Sequence, residues 1–93
     1  MKELRFEWDQ WNSQKNEEKH GVSKLEAESA FFDPDYRLFA DEKHSTRSEA
    51  RYILYARSLE NRLLMVGFTL RGPLIRIITA RPASPKERKI YAS

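Results

Sequence analysis

The sequence predicts an α+β fold, in which a small antiparallel sheet of four to five strands has two helices before it and one after it. Three apolar, β-branched runs at 51–57, 63–69 and 74–81 are separated by short connections, which is typical of an antiparallel meander. Helix-capping signals occur twice before these runs and once after them.

The first strand and the first helix are predicted from residues 4–21. Leu4–Trp8 alternates apolar and charged residues, as a strand with one buried face does. Asp9 can cap the following helix through its carboxylate, and Gly21 can supply the left-handed residue that ends it. Lys19 and His20 precede the glycine, where positive charge favours the helix dipole.

The remaining elements follow from capping and turn residues. Ser23 and Glu26 have the spacing of a capping box, and Asp33-Pro34 should end the second helix. A short strand at 36–40 and a polar loop at 41–48 lead into the meander, whose last turn contains Gly72-Pro73. Ser84-Pro-Lys-Glu87 predicts a final helix over 85–92.

Composition limits the classes of protein to which the chain can belong. With 93 residues, 40% hydrophobic and 33% charged, we expect a single domain over residues 1–93. The absence of cysteine excludes disulfides and thiolate chemistry, and two histidines make a zinc site held by the protein unexpected. The sequence has no membrane-length apolar run and begins without a secretory signal, so we expect a cytoplasmic protein.

Positive charge is concentrated in the second half of the chain. Residues 1–49 carry eight Lys/Arg and twelve Asp/Glu, whereas residues 50–93 carry nine and two. Arg71, Arg76 and Arg81 interrupt the apolar run around the last predicted strand. Because arginine is rarely buried without a partner, these side chains must either meet carboxylates or form a surface that attracts an anion. RNA, a solvated sheet face and an acidic protein partner are all consistent with this pattern.

The chain resembles the BrnT family, the toxins of bacterial type II toxin–antitoxin pairs, from Phe6 to Tyr91. The motifs that carry the resemblance are Phe6-Glu-Trp-Asp9, Asn16, Lys19-His-Gly-Val-Ser23, Glu26-Ala27, Glu49-Ala-Arg51-Tyr52, Thr69-Leu-Arg71, Ile75-Arg-Ile-Ile-Thr-Ala-Arg81, Glu87 and Tyr91. Two positions depart from the family pattern: Asn12 stands where a lysine is usual, and Ala56 stands where a glycine is usual.

The resemblance implies a RelE-like fold and a metal-independent endoribonuclease, without a cofactor, that inhibits translation and growth. It also implies an RNA substrate and a BrnA-type antitoxin, which would be a ribbon-helix-helix protein. The toxin would bind operator DNA only through this antitoxin. No membrane partner is implied. We expect the antitoxin to cover the surface that contains Arg71 and Arg81.

Cleavage of RNA without a metal uses the ribose 2′-hydroxyl as nucleophile. The reaction needs a base for this hydroxyl, cations for the charge that develops on phosphorus, and an acid for the leaving oxygen. Arg71 and Arg81 are the best candidates for phosphate contacts, on one shared hollow, although each could instead form a surface salt bridge. Arg76 could contact RNA or pair internally with a carboxylate of the first half.

Acid–base candidates are fewer. His20 can act in catalysis or contact RNA together with Lys19, or both can simply end the helix. Glu49 could act as base beside Arg51, or the two could hold each other.

Three further residues are predicted to have lesser roles. Tyr91 could stack on a base of the RNA or pack internally. Glu87 is expected to serve mainly as a helix cap, and His44 as an exposed side chain without a role.

Two other classes of function remain open from the residues alone. A nucleic-acid-binding module without catalysis would bind RNA and release no product. A pure protein-interaction domain would bind an acidic partner and show no affinity for RNA, even at low salt.

Overall fold

The computed structural model describes residues 3–93, which form a sheet packed against helices. The strands are β1 (Arg5–Trp8), β2 (Arg37–Ala40), β3 (Arg51–Arg57), β4 (Leu63–Arg71) and β5 (Leu74–Pro82). The helices are α1 (Gln10–His20), α2 (Lys24–Ser29) and α3 (Pro85–Ala92), and a 3₁₀ turn over Ala30–Phe32 extends α2. Within this part of the chain no helix has both the length and the apolar character to cross a membrane.

The strands form one sheet in the order β1-β5-β4-β3-β2, which confirms the predicted α+β class. Strands β2 to β5 pair in antiparallel fashion, and for β3, β4 and β5 this confirms the meander predicted from their short connections. Strand β1 instead pairs in parallel with β5, with Arg5 opposite Leu74 and Trp8 opposite Ile77. The sheet is therefore mixed, which is possible because the long segment between β1 and β5 does not restrict their relative direction.

One face of the sheet carries the hydrophobic core. Leu54, Leu64, Val66 and Ile77 are almost fully buried there, and the helical layer covers them with small residues such as Ala27. Aromatic rings extend this core, with edge-to-face contacts from Phe31 to Phe6 and Phe68. The side chains that alternate with these along β3, β4 and β5, such as Ile53, Met65 and Thr79, lie on the opposite face, which carries the candidate site.

Asn16 forms hydrogen bonds with the backbone of β5 beyond the point where the pairing with β1 ends. The amide of Asn16, which is buried, donates to the carbonyl of Ala80 at 2.8 Å and accepts from the Ala80 N–H at 2.9 Å. Its oxygen also accepts from the Thr79 hydroxyl at 3.2 Å, and its nitrogen donates to the carbonyl of Val22 at 3.3 Å. A side-chain amide thus replaces the missing strand and fixes α1 against β5.

The helix caps follow the predictions with one exception. Asp9 caps α1, Gly21 ends it at φ 67°, and α3 has a complete capping box between Ser84 and Glu87. At α2 only half of the predicted box forms: Ser23 accepts from the Glu26 N–H, but the Glu26 carboxylate turns elsewhere.

Glu26 is instead the buried carboxylate of a hydrogen-bond network that includes Ser58 and Arg62. Its side chain is 3% exposed, and it accepts hydrogen bonds from Arg62 Nε at 2.8 Å and from the Ser58 hydroxyl at 2.6 Å. Arg62 also contacts the second carboxylate oxygen and donates to the carbonyl of Gly21 at 2.8 Å. A buried carboxylate gains more from a guanidinium than from a helix N–H, which explains the incomplete cap.

Arg62→Ala should lower the free energy of unfolding by about 2 to 4 kcal/mol, because it leaves the Glu26 carboxylate buried without its cation. Chemical denaturation in urea measures this loss. Arg47→Ala, which removes an arginine from the exposed loop, is the control and should change stability by less than about 0.5 kcal/mol. Equal losses in the two variants would contradict the assignment.

The same network predicts a dependence of stability on pH. The hydrogen bond from Arg62 lowers the pKa of Glu26 in the folded protein, although burial opposes it. A depressed pKa contributes stability above the pKa of the unfolded chain, and this contribution is lost as the pH falls through the folded pKa. The stability difference between the wild type and Glu26→Gln should therefore shrink from about pH 6 to about pH 3. A constant difference in urea denaturation across that range would refute the prediction.

Candidate active site

A cavity of about 280 Å³ opens on the face of the sheet opposite the core. Two rows of paired residues cross this face, Tyr55–Met65–Arg81 and Ile53–Gly67–Thr79. The lining of the cavity combines an apolar part from β3, β4 and β5 with a polar part formed by Asp41, His44, Arg51, Arg81 and Glu87. The guanidinium groups in this lining can donate hydrogen bonds to an anion.

Gly67 contributes to the depth of this cavity. A Cβ atom at this position would lie 3.1 Å from Cγ2 of Thr79, closer than most such contacts. The pairing of β4 with β5 is also irregular immediately after Gly67, where the register shifts. A glycine at this point leaves space over the middle of the sheet that any other residue would partly fill.

Arg81 is held at one end of the cavity by Glu87. Its Nη1 and Nη2 atoms donate to the two carboxylate oxygens at 2.8 and 2.9 Å. Glu87 also accepts from the Ser84 N–H at 2.8 Å, so the same carboxylate caps α3 and orients the arginine. The bond from Arg81 lowers the pKa of Glu87, and the bond to Glu87 raises the pKa of Arg81. A guanidinium has five N–H donors, so an anion can share Arg81 with Glu87.

Arg51 supplies a second cation to the same cavity. Its Nε atom donates to Glu49 at 2.9 Å, so the predicted mutual pair forms, and about a third of each side chain remains exposed. The backbone of Arg51 is fixed at the base of the loop between β2 and β3. Its carbonyl accepts from the Asp41 N–H at 2.8 Å, and its N–H donates to the Ser45 hydroxyl at 2.9 Å.

His44, which we expected from the sequence to be an exposed side chain without a role, also lines this cavity. Nδ1 of His44 lies 2.7 Å from Oδ2 of Asp41, three residues earlier in a turn. The histidine side chain is 60% exposed, whereas that of Asp41 is 17% exposed. The spacing from Asp41 to His44 is the signal that could have revealed the pair, because a turn brings residues i and i+3 together.

A second cavity of about 160 Å³ adjoins the first and shares Ile78 and Thr79 with it. Lys19 and His20 line it, together with Asn12, Lys15 and Asn16. Burial lowers the pKa of His20, and the positive charges of Lys19 and Arg81 lower it further. His20 therefore carries a neutral imidazole near neutral pH and lies within the electrostatic range of Arg81.

Arg71 and Arg76 do not reach either cavity. Arg71 pairs in register with Leu74 and Arg81 with Met65, so these two arginines lie at opposite ends of the β4–β5 hairpin. The expectation that they share one hollow is wrong, because Arg81 lines the first cavity and Arg71 lies at the other end of the hairpin. Nη1 of Arg76 lies 2.7 Å from the Glu7 carboxylate, and Nη1 of Arg71 lies 3.6 Å from the same oxygen. Arg76 thus forms the internal pair with a first-half carboxylate.

Tyr91 packs at the far end of α3, outside both cavities. Its hydroxyl donates to Asp33 at 2.7 Å. The guanidinium groups of Arg37 and Arg57 lie 5.9 and 5.6 Å from the centre of its ring. These contacts attach the C-terminal turn of α3 to β2 and β3. Of the two roles expected for Tyr91, stacking on RNA or packing internally, the structure shows internal packing.

No group of three or more histidine, aspartate or glutamate side chains in residues 3–93 is arranged to hold a metal ion.

Comparisons with known proteins identify the family. The family described as "Ribonuclease toxin, BrnT, of type II toxin-antitoxin system" matches residues 8–87. The 1.1 Å crystal structure of the Brucella abortus ribonuclease toxin BrnT superposes with a TM-score of 0.64 at 22% sequence identity, over 88% of this chain and 99% of that one. At this identity the likeness supports the fold alone. No curated protein matches the sequence. Because the family match spans most of the chain, the protein belongs to the BrnT ribonuclease toxins of type II toxin–antitoxin systems.

Proposed function

We propose that this chain is a metal-independent endoribonuclease of the cytoplasm, which cleaves RNA through attack of the 2′-hydroxyl and so inhibits translation and growth. The observation that carries the proposal is the placement of Arg51 and Arg81 in one open cavity, with His20 in the adjoining one. Cations and an imidazole are thereby available on the same side of the sheet, and RNA cleavage by this route requires both.

Arg81 is the proposed principal phosphate contact. Its carboxylate partner fixes the guanidinium plane before substrate binds, so the arginine does not have to be ordered during the reaction. Arg51 would contact the same phosphate or its neighbour, with Glu49 as the residue that positions it. Negative charge that develops on the non-bridging oxygens would be stabilised by both side chains.

His20 is the proposed general base. A base must be deprotonated before it accepts the proton of the 2′-hydroxyl, and the lowered pKa of His20 favours that form at neutral pH. Lys19 lines the same cavity and would bind the backbone of the RNA strand. Arg71 and Arg76 lie outside both cavities, so we assign them no part in the chemistry.

A type II toxin has an antitoxin as its partner, and we propose a BrnA-type ribbon-helix-helix protein that covers the Arg51/Arg81 cavity. An inhibitor that occupies this cavity would exclude RNA from both arginines. An acidic segment of the antitoxin suits the positive charge of these groups.

Arg81→Ala should reduce cleavage of a mixed-sequence RNA by about 10²- to 10³-fold, because it removes a preorganised donor to the developing charge. Cleavage by the wild type should persist in EDTA. Arg81→Lys should restore little activity, since an ammonium keeps the charge but not the planar pair with Glu87. Gel analysis of the RNA products measures each rate.

Arg71→Ala is the matched control for this experiment, because it removes the same charge from the opposite end of the hairpin. Its rate should stay within a few-fold of the wild type. Loss of wild-type cleavage in EDTA, or equal losses in the Arg71 and Arg81 variants, would contradict the proposal.

The affinity for the antitoxin should depend on Arg51 and Arg81 and not on Arg71. Calorimetric titration of the purified antitoxin should show weaker binding to Arg51→Ala and Arg81→Ala, by about 1 to 3 kcal/mol each, and near wild-type binding to Arg71→Ala. Unchanged affinity in the first two variants would place the antitoxin on another surface.

A further inference from the structure

The proposed mechanism has a base and cations but lacks a group that protonates the leaving oxygen. Arg51 and Arg81 cannot serve, because arginine keeps its proton in proteins. Glu87 is occupied by Arg81, and its lowered pKa favours the carboxylate, which has no proton to give. The imidazole that lines the first cavity belongs to His44.

His44 has the geometry that an imidazole acid requires. Its Nδ1 atom is engaged by the Asp41 carboxylate at 2.7 Å, which leaves Nε2 as the nitrogen available to a substrate. Asp41 is itself anchored, because its N–H donates to the carbonyl of Arg51 at 2.8 Å and its carbonyl accepts from the Ser45 hydroxyl at 2.7 Å. The orienting carboxylate is thus tied to the strand that carries Arg51, while the imidazole remains accessible.

The two histidines have different charged neighbours. His20 has Lys19 and Arg81 as charged neighbours, and both are cations. His44 pairs with a carboxylate on its own loop, and the other charged groups that line its cavity are Arg51 from β3, Arg81 from β5 and Glu87 from α3. An imidazole that is oriented by a carboxylate at Nδ1 can exchange a proton with a substrate through Nε2.

We propose that His44 is the general acid of this ribonuclease and that Asp41 is its positioning residue. This inference rests on the proposed function. His20 accepts the proton of the 2′-hydroxyl, and the 2′-oxygen forms a bond to the adjacent phosphorus. The bond from phosphorus to the 5′-oxygen breaks, and its electron pair stays on that oxygen, which takes the proton from Nε2 of His44. The products are a 2′,3′-cyclic phosphate and a 5′-hydroxyl end. Water then takes the proton from His20 and supplies one to His44.

A substrate with an altered leaving group tests this role directly. The cut site of the wild type is first mapped on a mixed-sequence RNA, and an oligonucleotide is then made in which sulfur replaces the 5′-oxygen at that linkage. A thiolate leaves without protonation, so this substrate does not need a general acid. His44→Ala should cleave the oxygen substrate about 10²- to 10⁴-fold more slowly than the wild type, and the sulfur substrate at a rate close to the wild type.

Three further variants distinguish this role from a structural one. Asp41→Asn should slow cleavage of the oxygen substrate less than His44→Ala does, and it should also recover on the sulfur substrate. His20→Ala should stay slow on both substrates, because a better leaving group does not replace a base. Glu42→Gln changes an exposed residue beside the pair and should match the wild type on both.

Equal loss of rate on both substrates in His44→Ala, in a variant that keeps the wild-type circular dichroism spectrum, would overturn the assignment of His44. A wild-type rate on the oxygen substrate would do the same. If the wild type cleaves neither substrate, the proposed function itself fails, and the role of His44 fails with it.

Discussion

The bidentate contact between Arg81 and Glu87 joins the end of β5 to α3, and the rest of the candidate site is arranged around it. Helix α3 has no buried residue, so polar contacts hold it to the sheet. Glu87 provides the contact at its first turn and also caps the helix, and Tyr91 provides one at its last turn through Asp33. The N-terminal cap of α3 and the orientation of the principal cation therefore depend on one carboxylate, that of Glu87.

Both arginines of the first cavity are paired with carboxylates, Arg51 with Glu49 and Arg81 with Glu87, and His44 is hydrogen-bonded to Asp41. Such pairs are worth little to stability where water reaches them, but they fix the direction of long side chains. In an enzyme that must stabilise charge only in the transition state, a guanidinium oriented in advance is of more use than a mobile one.

Local signals predicted the elements of the fold well, and contacts between distant residues explain what they missed. Capping residues such as Asp9, Gly21 and Ser84 located the helices, because each acts within one turn of its own position. The parallel pairing of β1 with β5 could not be predicted from spacing, since the long intervening segment permits either direction. The role of Asn16 depends on a partner 64 residues away, at Ala80, which no local pattern shows.

The candidate site could be predicted only in part, because it too depends on contacts between residues that are distant in the sequence. The sequence indicated that arginines near the predicted strands would matter, but only the structure shows that Arg51 and Arg81 line one cavity and that Arg71 lies at the other end of the hairpin from Arg81. His44 was assigned to solvent because its loop has no hydrophobic period. The loop is nevertheless fixed at its base by bonds to Arg51, and it brings an imidazole to the cavity.

The claim that RNA binds through the paired Arg81 can be tested most directly by nuclear magnetic resonance of the arginine Nε–H groups. A 2′-O-methyl oligonucleotide cannot be cleaved by 2′-hydroxyl attack, so it can be titrated to saturation. We predict that the Arg81 resonance shifts on binding while the Arg71 resonance stays in place. A complex in which Arg81 is unchanged and Arg71 shifts would contradict the account.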